Sequence, residues 1–401
     1  MKLIAFLGET YIYHEGNYYA TQTSGAFLQK IVGENNIIVV SPSTRHQSQL
    51  PPRSFSSKVN EDNFISAPRY SSTKNFIMQS IFKKNFYRDF VVFTDEIIKN
   101  NPDAIFWIRT PSIGSVIFGL RVIKYNKKLI NHMCADIKDT WRDKKYSLLE
   151  KCFGFIISRI LRYLLRKICS DKKTINLATG SALESFGKQF SANTYQFVDL
   201  MSENIFSNTS LEHIKNFHST QLTLTFVGRL VEDKGIFDLL SVMTKIPSNI
   251  KLNIVGCGSS YENVLDFIKK HKLENRIIVH GQLAFTELDR IYRTTDLTIV
   301  PSNNYYEGFP RVIMESWSYG IPVIVSNVGG VAAFVKDNVN GFIFKAGDIA
   351  KLEELILHVY NDEKLYSDLK IGAISMAEIS TFKYWSNVVH GLIYKEKNDE
   401  A

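Results

Sequence analysis

The sequence predicts an α/β protein of two domains, on three observations. Short apolar runs closed by Gly, Pro or Ser recur along the whole chain and read as buried parallel strands. Stretches with helical spacing lie between them, and that alternation argues for parallel sheets covered by helices. The length, 401 residues, is enough for two domains with separate cores.

Composition narrows the function classes. A hydrophobic content of 45% is ordinary for a soluble globular protein. The formal charge of +8 suits anionic partners such as sugar nucleotides or acidic lipid surfaces, without choosing between them. Nucleic acid fits poorly, because no RNP, zinc or helix-turn-helix pattern appears. The four cysteines, Cys134, Cys152, Cys169 and Cys257, show neither CxxC nor metal-ligand spacing and fit a reduced cytosolic protein. Residues 3–7 are too short for a secretory segment. No run reaches the roughly 20 apolar residues of a spanning helix, so a cytoplasmic location is expected.

Residues 1–8 read as a first buried strand, followed by a Tyr- and Gly-rich loop over 11–19. A helix follows over 26–32, with Ser24 and Gly25 just before it as an N-cap and a turn glycine. Residues 37–40 make a second strand. The polar stretch 41–73, with Pro42, Pro51, Pro52 and Pro68, reads as a long loop. Helical spacing returns over 83–99, then come a strand at 104–108, a helix at 113–125 and a strand edge at 129–132. In such sheets ligands sit beyond the carboxyl ends of the strands, which singles out His132 and Asp136. A capping histidine is the plain alternative for His132.

A helical wheel over 153–169 puts Phe153, Ile156, Ile157, Ile160, Leu161, Leu164, Leu165 and Ile168 on one half and Arg159, Arg162 and Arg166 on the other. Two readings stand open: an interfacial helix touching an acidic membrane through 153–173, or a core helix with a solvated face. Residues 175–181 begin the last unit of the first domain, 195–199 close it, and 200–220 should contain the linker.

The second half opens on the apolar strand 222–227. Gly228 and Arg229 stand at its tip, and Lys234 with Gly235 opens the next helix. An Arg and a Lys on one strand-to-helix loop can converge on a diphosphate, the first as a planar fork and the second as a point charge. Two unrelated surface cations are the alternative. Residues 251–255 with Gly256-Cys257-Gly258, and 277–281, are further strands with glycine turns, and Thr286 reads as the cap of a short helix. The run 296–302 is a buried strand ending in a Pro/Ser turn, and 312–318 is a helix stopped by Gly320. Between them lies Tyr306-Glu307-Gly308-Phe309-Pro310-Arg311-Val312.

First-turn N–H groups of a helix lack internal partners and suit a phosphate, so 308–312, with Gly308, Phe309, Pro310 and Val312, form a candidate phosphate cradle. Gly308 permits close approach and Pro310 is tolerated at a helix start. Carboxylates beside a phosphate would be repelled by it, so Glu307 and Glu315 read either as readers of sugar hydroxyls or as solvated acids. Helices with charged faces follow over 349–377, and Phe382, Tyr384 and Trp385 begin a last apolar helix.

The setting EGFPRVIMESWSYGIPVIVSNVGG, with two acids seven residues apart, resembles the E-x7-E segment of the retaining glycosyltransferases of family 4. The likeness extends through Phe226-Val227-Gly228-Arg229, Lys234-Gly235 and Val255-Gly256-Cys257-Gly258 to Phe382 and Trp385, and so covers roughly the C-terminal half. Relatives usually carry an acid where Cys257 stands, and a Gly-Gly pair where this chain has Ser24-Gly25.

The resemblance implies a GT-B fold, with two Rossmann-like domains facing each other across a donor-binding cleft. The N-terminal domain, 1–200, would bind the acceptor and be completed by 382–401; the C-terminal domain, 201–381, would bind the nucleotide sugar. It implies transfer with retention, with no metal and no cofactor beyond the donor, a UDP- or GDP-sugar. The acceptor would be a glycan or a lipid-linked glycan in surface polysaccharide synthesis. It assigns Arg229 and Lys234 to the diphosphate, Glu307 to the transferred sugar, Glu315 to the ribose and His132 to the sugar near its C6 hydroxyl. Gly25 and Gly228 would approach the phosphates, and Gly281 and Leu283 would seat the base through backbone groups. An inactive sugar-nucleotide or lipid-binding partner of another transferase, and a sugar-nucleotide 2-epimerase, are the alternatives.

Overall fold

The computed structural model describes residues 2–45, 57–143, 146–202, 221–304 and 308–394. The chain forms two compact units, Met1–Asp199 with Val388–Ala401, and Leu200–Asn387. The expected linker over 203–220 lies outside the described residues.

In the first unit the order is β1 (Leu3–Phe6), β2 (Tyr11–His14), β3 (Asn17–Ala20), α1 (Ser24–Val32), β4 (Ile37–Arg45), β5 (Ser57–Asn60), β6 (Phe64–Ala67), α2 (Thr73–Phe82) and α3 (Phe86–Lys99). There follow β7 (Ile105–Thr110), α4 (Ile113–Lys124), β8 (Leu129–Met133), α5 (Leu148–Cys169), β9 (Thr174–Ala178), α6 (Ser181–Lys188) and β10 (Thr194–Gln196). The sheet runs β10-β9-β8-β7-β1-β4-β2-β3-β5, with β6 also on β4. Leu3 pairs in parallel with both Ile37 and Ile105, so β1 lies in the sheet interior. That is why Leu3, Ile4, Ala5 and Phe6 are all buried, with no polar alternation.

Two expectations change here. The Tyr-rich stretch is a β-hairpin, not a loop, with Tyr13 opposite Tyr18 and Glu15-Gly16 at the turn. Both turn residues have positive φ (44° and 75°), the geometry that matches hairpin twist. The stretch 41–73 contains the end of β4 and the strands β5 and β6. In β5, Ser57 and Val59 point inward while Lys58 and Asn60 point outward, a short alternation easily read as polar loop.

The second unit contains β11 (Leu222–Val227), α7 (Ile236–Met243), β12 (Ile250–Val255), α8 (Tyr261–Lys270), β13 (Ile277–Gly281), α9 (Phe285–Tyr292), β14 (Leu297–Val300) and α10 (Arg311–Trp317). Then come β15 (Val323–Ser326), β16 (Gly341–Phe344), α11 (Ile349–Asn361), α12 (Glu363–Ser375) and α13 (Phe382–Tyr394). Its sheet, β13-β12-β11-β14-β15-β16, is parallel throughout. Leu224, Ile254, Ile299 and Ile324 carry its core. The N-cap of α9 is Ala284, not Thr286, and Glu287 reaches back to accept the Ala284 N–H at 2.9 Å. Helix α13 begins in the second unit and ends in the first.

Helix α5 starts earlier than its apolar run, because Ser147 and Glu150 close a capping box at its first turn. Its expected apolar face is divided. Leu161, Leu165 and Ile168 enter the core, whereas Phe153, Ile156 and Ile160 are 40, 55 and 49% exposed.

Candidate functional site

At the carboxyl end of the second sheet, three loops are laced together by backbone hydrogen bonds. The Gly228 N–H donates to the Val255 carbonyl (3.0 Å), the Leu230 N–H to Cys257 (2.9 Å) and the Gly256 N–H to Gly281 (2.7 Å). Gly256 has φ of +139°, and a Cβ there would stand 1.8 Å from the Gly228 carbonyl oxygen. A Cβ on Gly258 would stand 2.3 Å from the Leu230 carbonyl oxygen. These glycines let the loop after β12 press against the loop after β11. Among the described residues, chain neighbours aside, no heavy atom lies within 4 Å of the Cβ position of Gly281, and Leu283 beyond it is half-buried.

Arg229 is exposed at the tip of β11, while Leu230 beside it is fully buried and anchors the loop. A 3-10 turn over Glu232–Lys234 follows, with Lys234 half-buried. Gly235 then crosses so close to Pro301 that a Cβ would stand 1.8 Å from its carbonyl oxygen. Asn303 ties the same two segments, its N–H to the Asp233 carbonyl (2.8 Å) and its Nδ2 to the Asp238 carboxylate (2.7 Å). The loop carrying Arg229 and Lys234 therefore packs on the stretch that leads from β14 toward residue 305. Glu307 lies outside the described residues.

The chain continues at Gly308, whose carbonyl accepts the Gly330 N–H at 2.6 Å. Phe309 is buried edge-on against Phe334, and Pro310 is the N-cap of α10. Val312 is half-buried in the first turn. Helix α10 has only 7 residues, so what it can offer an anion is its first-turn N–H groups more than a developed dipole.

Glu315 stands one turn further along α10. The Tyr292 hydroxyl donates to its Oε2 at 3.2 Å. Tyr292 stacks on Tyr319 at 4.9 Å, and Tyr319 donates to Asp289 at 2.9 Å, which Arg293 also holds. Burial pushes the Glu315 carboxyl above the usual glutamate range, while Arg311 and the Tyr292 hydroxyl pull it back. Burial, reinforced by Glu315, pushes the Tyr292 phenol well up, so it stays a neutral donor.

In the first unit the expected residues fare differently. Gly25 is inside α1, not before it, and a Cβ there would come within 2.5 Å of the Ser57 and Tyr11 oxygens. His132 is fully buried, its ring edge-on to Phe197 (4.8 Å) and Trp107 (5.9 Å), with Nε2 3.1 Å from Thr179 Oγ1. It packs behind the strand tips and presents no surface to a sugar. Asp136 is tied to α5 by Arg162 at 2.7 Å.

Sequence reasoning missed Arg109, near the end of β7. Burial opposes its charge, but Cys134, Asp199 and Glu9 outweigh that and hold its pKa above the usual arginine value. Asp199 also accepts the Ser24 hydroxyl at 2.6 Å. The available signal was a lone charge closing the apolar run Ile105-Phe106-Trp107-Ile108.

Among the described residues no group of three His, Cys, Asp or Glu side chains is placed to hold a metal ion. No described helix is long and apolar enough to cross a membrane, and all four cysteines are free.

The chain superposes on the UDP complex of HepE from Anabaena with a TM-score of 0.69, at 14% identity, over 98% of this chain and 100% of that one. The fold is GT-B. Residues 208–376, within the second unit, match the family model of glycosyl transferases group 1. An uncharacterized glycosyltransferase of Methanocaldococcus jannaschii is 32% identical over 43% of this chain and 48% of its own length. The lipopolysaccharide 1,6-galactosyltransferase of Escherichia coli is 29% identical over 41% of this chain and 47% of its own length. The chain thus spans about half the length of these two relatives, and the family-model match over 208–376 includes the strand-tip loops described above.

Proposed function

We propose that this chain is a hexosyltransferase. It moves a sugar from a nucleotide-diphosphate sugar to a glycan or lipid-linked acceptor, with retention at the anomeric carbon. The observation that carries this reading is the packing of the Arg229–Lys234 loop onto the stretch that leads into Glu307 and Glu315. It brings two cations and the approach to the E-x7-E segment to one end of one parallel sheet, where α/β proteins bind nucleotides.

In this mechanism the bond between the anomeric carbon and the β-phosphate oxygen breaks, and negative charge develops on the diphosphate. Arg229 and Lys234 stabilise it, as fixed charges in the place a divalent metal takes elsewhere. The acceptor oxygen bonds to the anomeric carbon on the same face, and its proton passes to the departing phosphate. Glu315 accepts from the ribose hydroxyls and Glu307 from the transferred sugar. Gly308, Phe309 and Val312 bring backbone N–H groups to the phosphates, Pro310, which has none, sets the helix start, and Gly281 and Leu283 border the base. His132 acts as a positioning group behind the strand tips of the first unit. There Arg109 and its acidic neighbours form a mixed-charge cluster suited to a hydroxylated acceptor. The UDP held by HepE supports UDP as the nucleotide, and the lipopolysaccharide relative supports a surface polysaccharide as the product.

The test is thermal stabilisation by UDP, GDP, ADP and CMP, with wild type beside Glu315→Ala. A ligand at 100 times its dissociation constant adds about 2.7 kcal/mol. One nucleotide should stabilise the wild type and lose most of that effect on the variant. Folded protein stabilised by none of them would overturn the donor assignment. A donor isomerised at C2 with no acceptor present would identify an epimerase instead.

Tyr292→Phe tests how Glu315 is held. Loss of one hydrogen bond of about 1 kcal/mol should weaken nucleotide binding roughly fivefold. The bond favours the carboxylate, so its loss raises the Glu315 pKa further. Binding that needs the carboxylate fails as pH falls through that pKa, so in the variant it should fail at a higher pH. Titration calorimetry across pH would show this, and an unmoved acid limb would reduce Tyr292 to packing.

A further inference from the structure

The outward face of α5 is not the solvated basic face that a core helix would show. Leu148, Leu149, Phe153, Ile156, Ile160 and Tyr163 are exposed by 82, 84, 40, 55, 49 and 55%. At 100° per residue they fall on one side of the helix, opposite the core-facing Ser158, Leu161, Leu165 and Ile168. Exposed apolar side chains in such a row mark an interaction surface.

The same side of the helix changes character toward its C-terminus. A groove of about 560 Å³ opens there between α4 and α5, lined by Lys124, Tyr163, Arg166, Lys167 and Ser170, with Leu120, Ile123 and Asp171. Lys167 lies over the Tyr163 ring at 4.8 Å and Arg166 over Phe190 at 5.4 Å, so both cations are held by aromatic faces. Asp171 is the one acid on the groove wall, against three cations. At the other end of the stripe, Glu150 is paired with Lys74 at 3.2 Å.

We propose that this face docks on an anionic phospholipid bilayer. The apolar stripe enters the headgroup–acyl boundary and the groove between α4 and α5 seats a lipid phosphate. An apolar row ending in a cationic groove has the polarity of a lipid, tail beside head. A second copy of this chain would bring an identical cationic groove against the first unless its register avoided it, so charge favours the acidic membrane. The setting, a transferase working on a membrane-borne acceptor, rests on the function proposed above; lipid binding itself does not.

The experiment is co-sedimentation of the full chain with vesicles of phosphatidylcholine alone and of phosphatidylcholine with phosphatidylglycerol. Three variants accompany it: Leu149→Ser/Ile156→Ser, Lys124→Glu/Lys167→Glu, and Glu353→Gln as a surface control. The altered side chains are outside the core, and far-UV circular dichroism with nucleotide stabilisation confirms each fold. Binding is expected only to the anionic vesicles, lowered at least about tenfold by the lysine pair and also by the apolar pair, and unchanged in the control. Titration with glycerol phosphate in solution separates a headgroup in a bilayer from a free phosphate. Saturation by glycerol phosphate at micromolar concentration would overturn the membrane assignment. So would equal sedimentation with both vesicle types or with neither, or a dimer in sedimentation velocity that the apolar pair abolishes. Nucleotide stabilisation without lipid binding would leave the transferase reading standing and this one refuted.

Discussion

Replacing Arg229 or Lys234 with alanine is expected to lower turnover about 100-fold while leaving the fold intact. Arg229 is exposed and Lys234 half-buried, so neither side chain carries the core. Their loop is held instead by Leu230, by the Leu230 N–H on Cys257 and by the Asn303 contacts. In the proposed mechanism the charge they face is larger in the transition state than in the bound donor, so their loss should fall on turnover more than on donor affinity. Removal of one preorganised donor at a developing negative charge costs about 10²–10³ in rate. Lys234→Arg should recover part of the activity, because charge persists while the compact geometry changes. Steady-state transfer with a labelled donor measures both, and turnover near wild type in either alanine variant would remove that residue from the mechanism.

Gly256→Ala is expected to destabilise the second unit by about 3 kcal/mol. The new Cβ would stand 1.8 Å from a backbone oxygen, that of Gly228, and the residue sits at φ of +139°. Backbone strain of that kind typically costs about 1–3 kcal/mol, and a clash with main chain cannot be relieved by a rotamer change. The Gly228 segment would have to move, carrying Arg229 with it, so nucleotide stabilisation should fall with stability. Urea unfolding of the variant measures the first effect. An unchanged midpoint would mean that the loops after β11 and β12 yield freely, and that the Arg229 loop is less fixed than its hydrogen bonds indicate.

The parallel sheets were legible because buried parallel strands are apolar throughout. Runs such as Leu222–Val227 and Ile105-Phe106-Trp107-Ile108 announce themselves without knowledge of their neighbours. The Arg229, Lys234 and Glu315 positions were legible because strand tip, glycine and helix start are local features. The β-hairpin over Tyr11–His14 and Asn17–Ala20 was not, since aromatic alternation beside a glycine also describes a loop until a partner strand is known.

What the sequence determined by itself is the succession of buried parallel strands with their helices and the residue types standing at the strand tips, because both depend on near neighbours in the chain. What only the tertiary structure decided is which side of each element meets the core. It placed His132 inside, packed by Trp107 and Phe197, and it surrounded Arg109 with Glu9, Cys134 and Asp199 from distant segments. It also divided α5, sending Leu161, Leu165 and Ile168 inward and leaving Phe153, Ile156 and Ile160 outside. A helical wheel contains no information about where the sheet lies, and burial is set by the sheet.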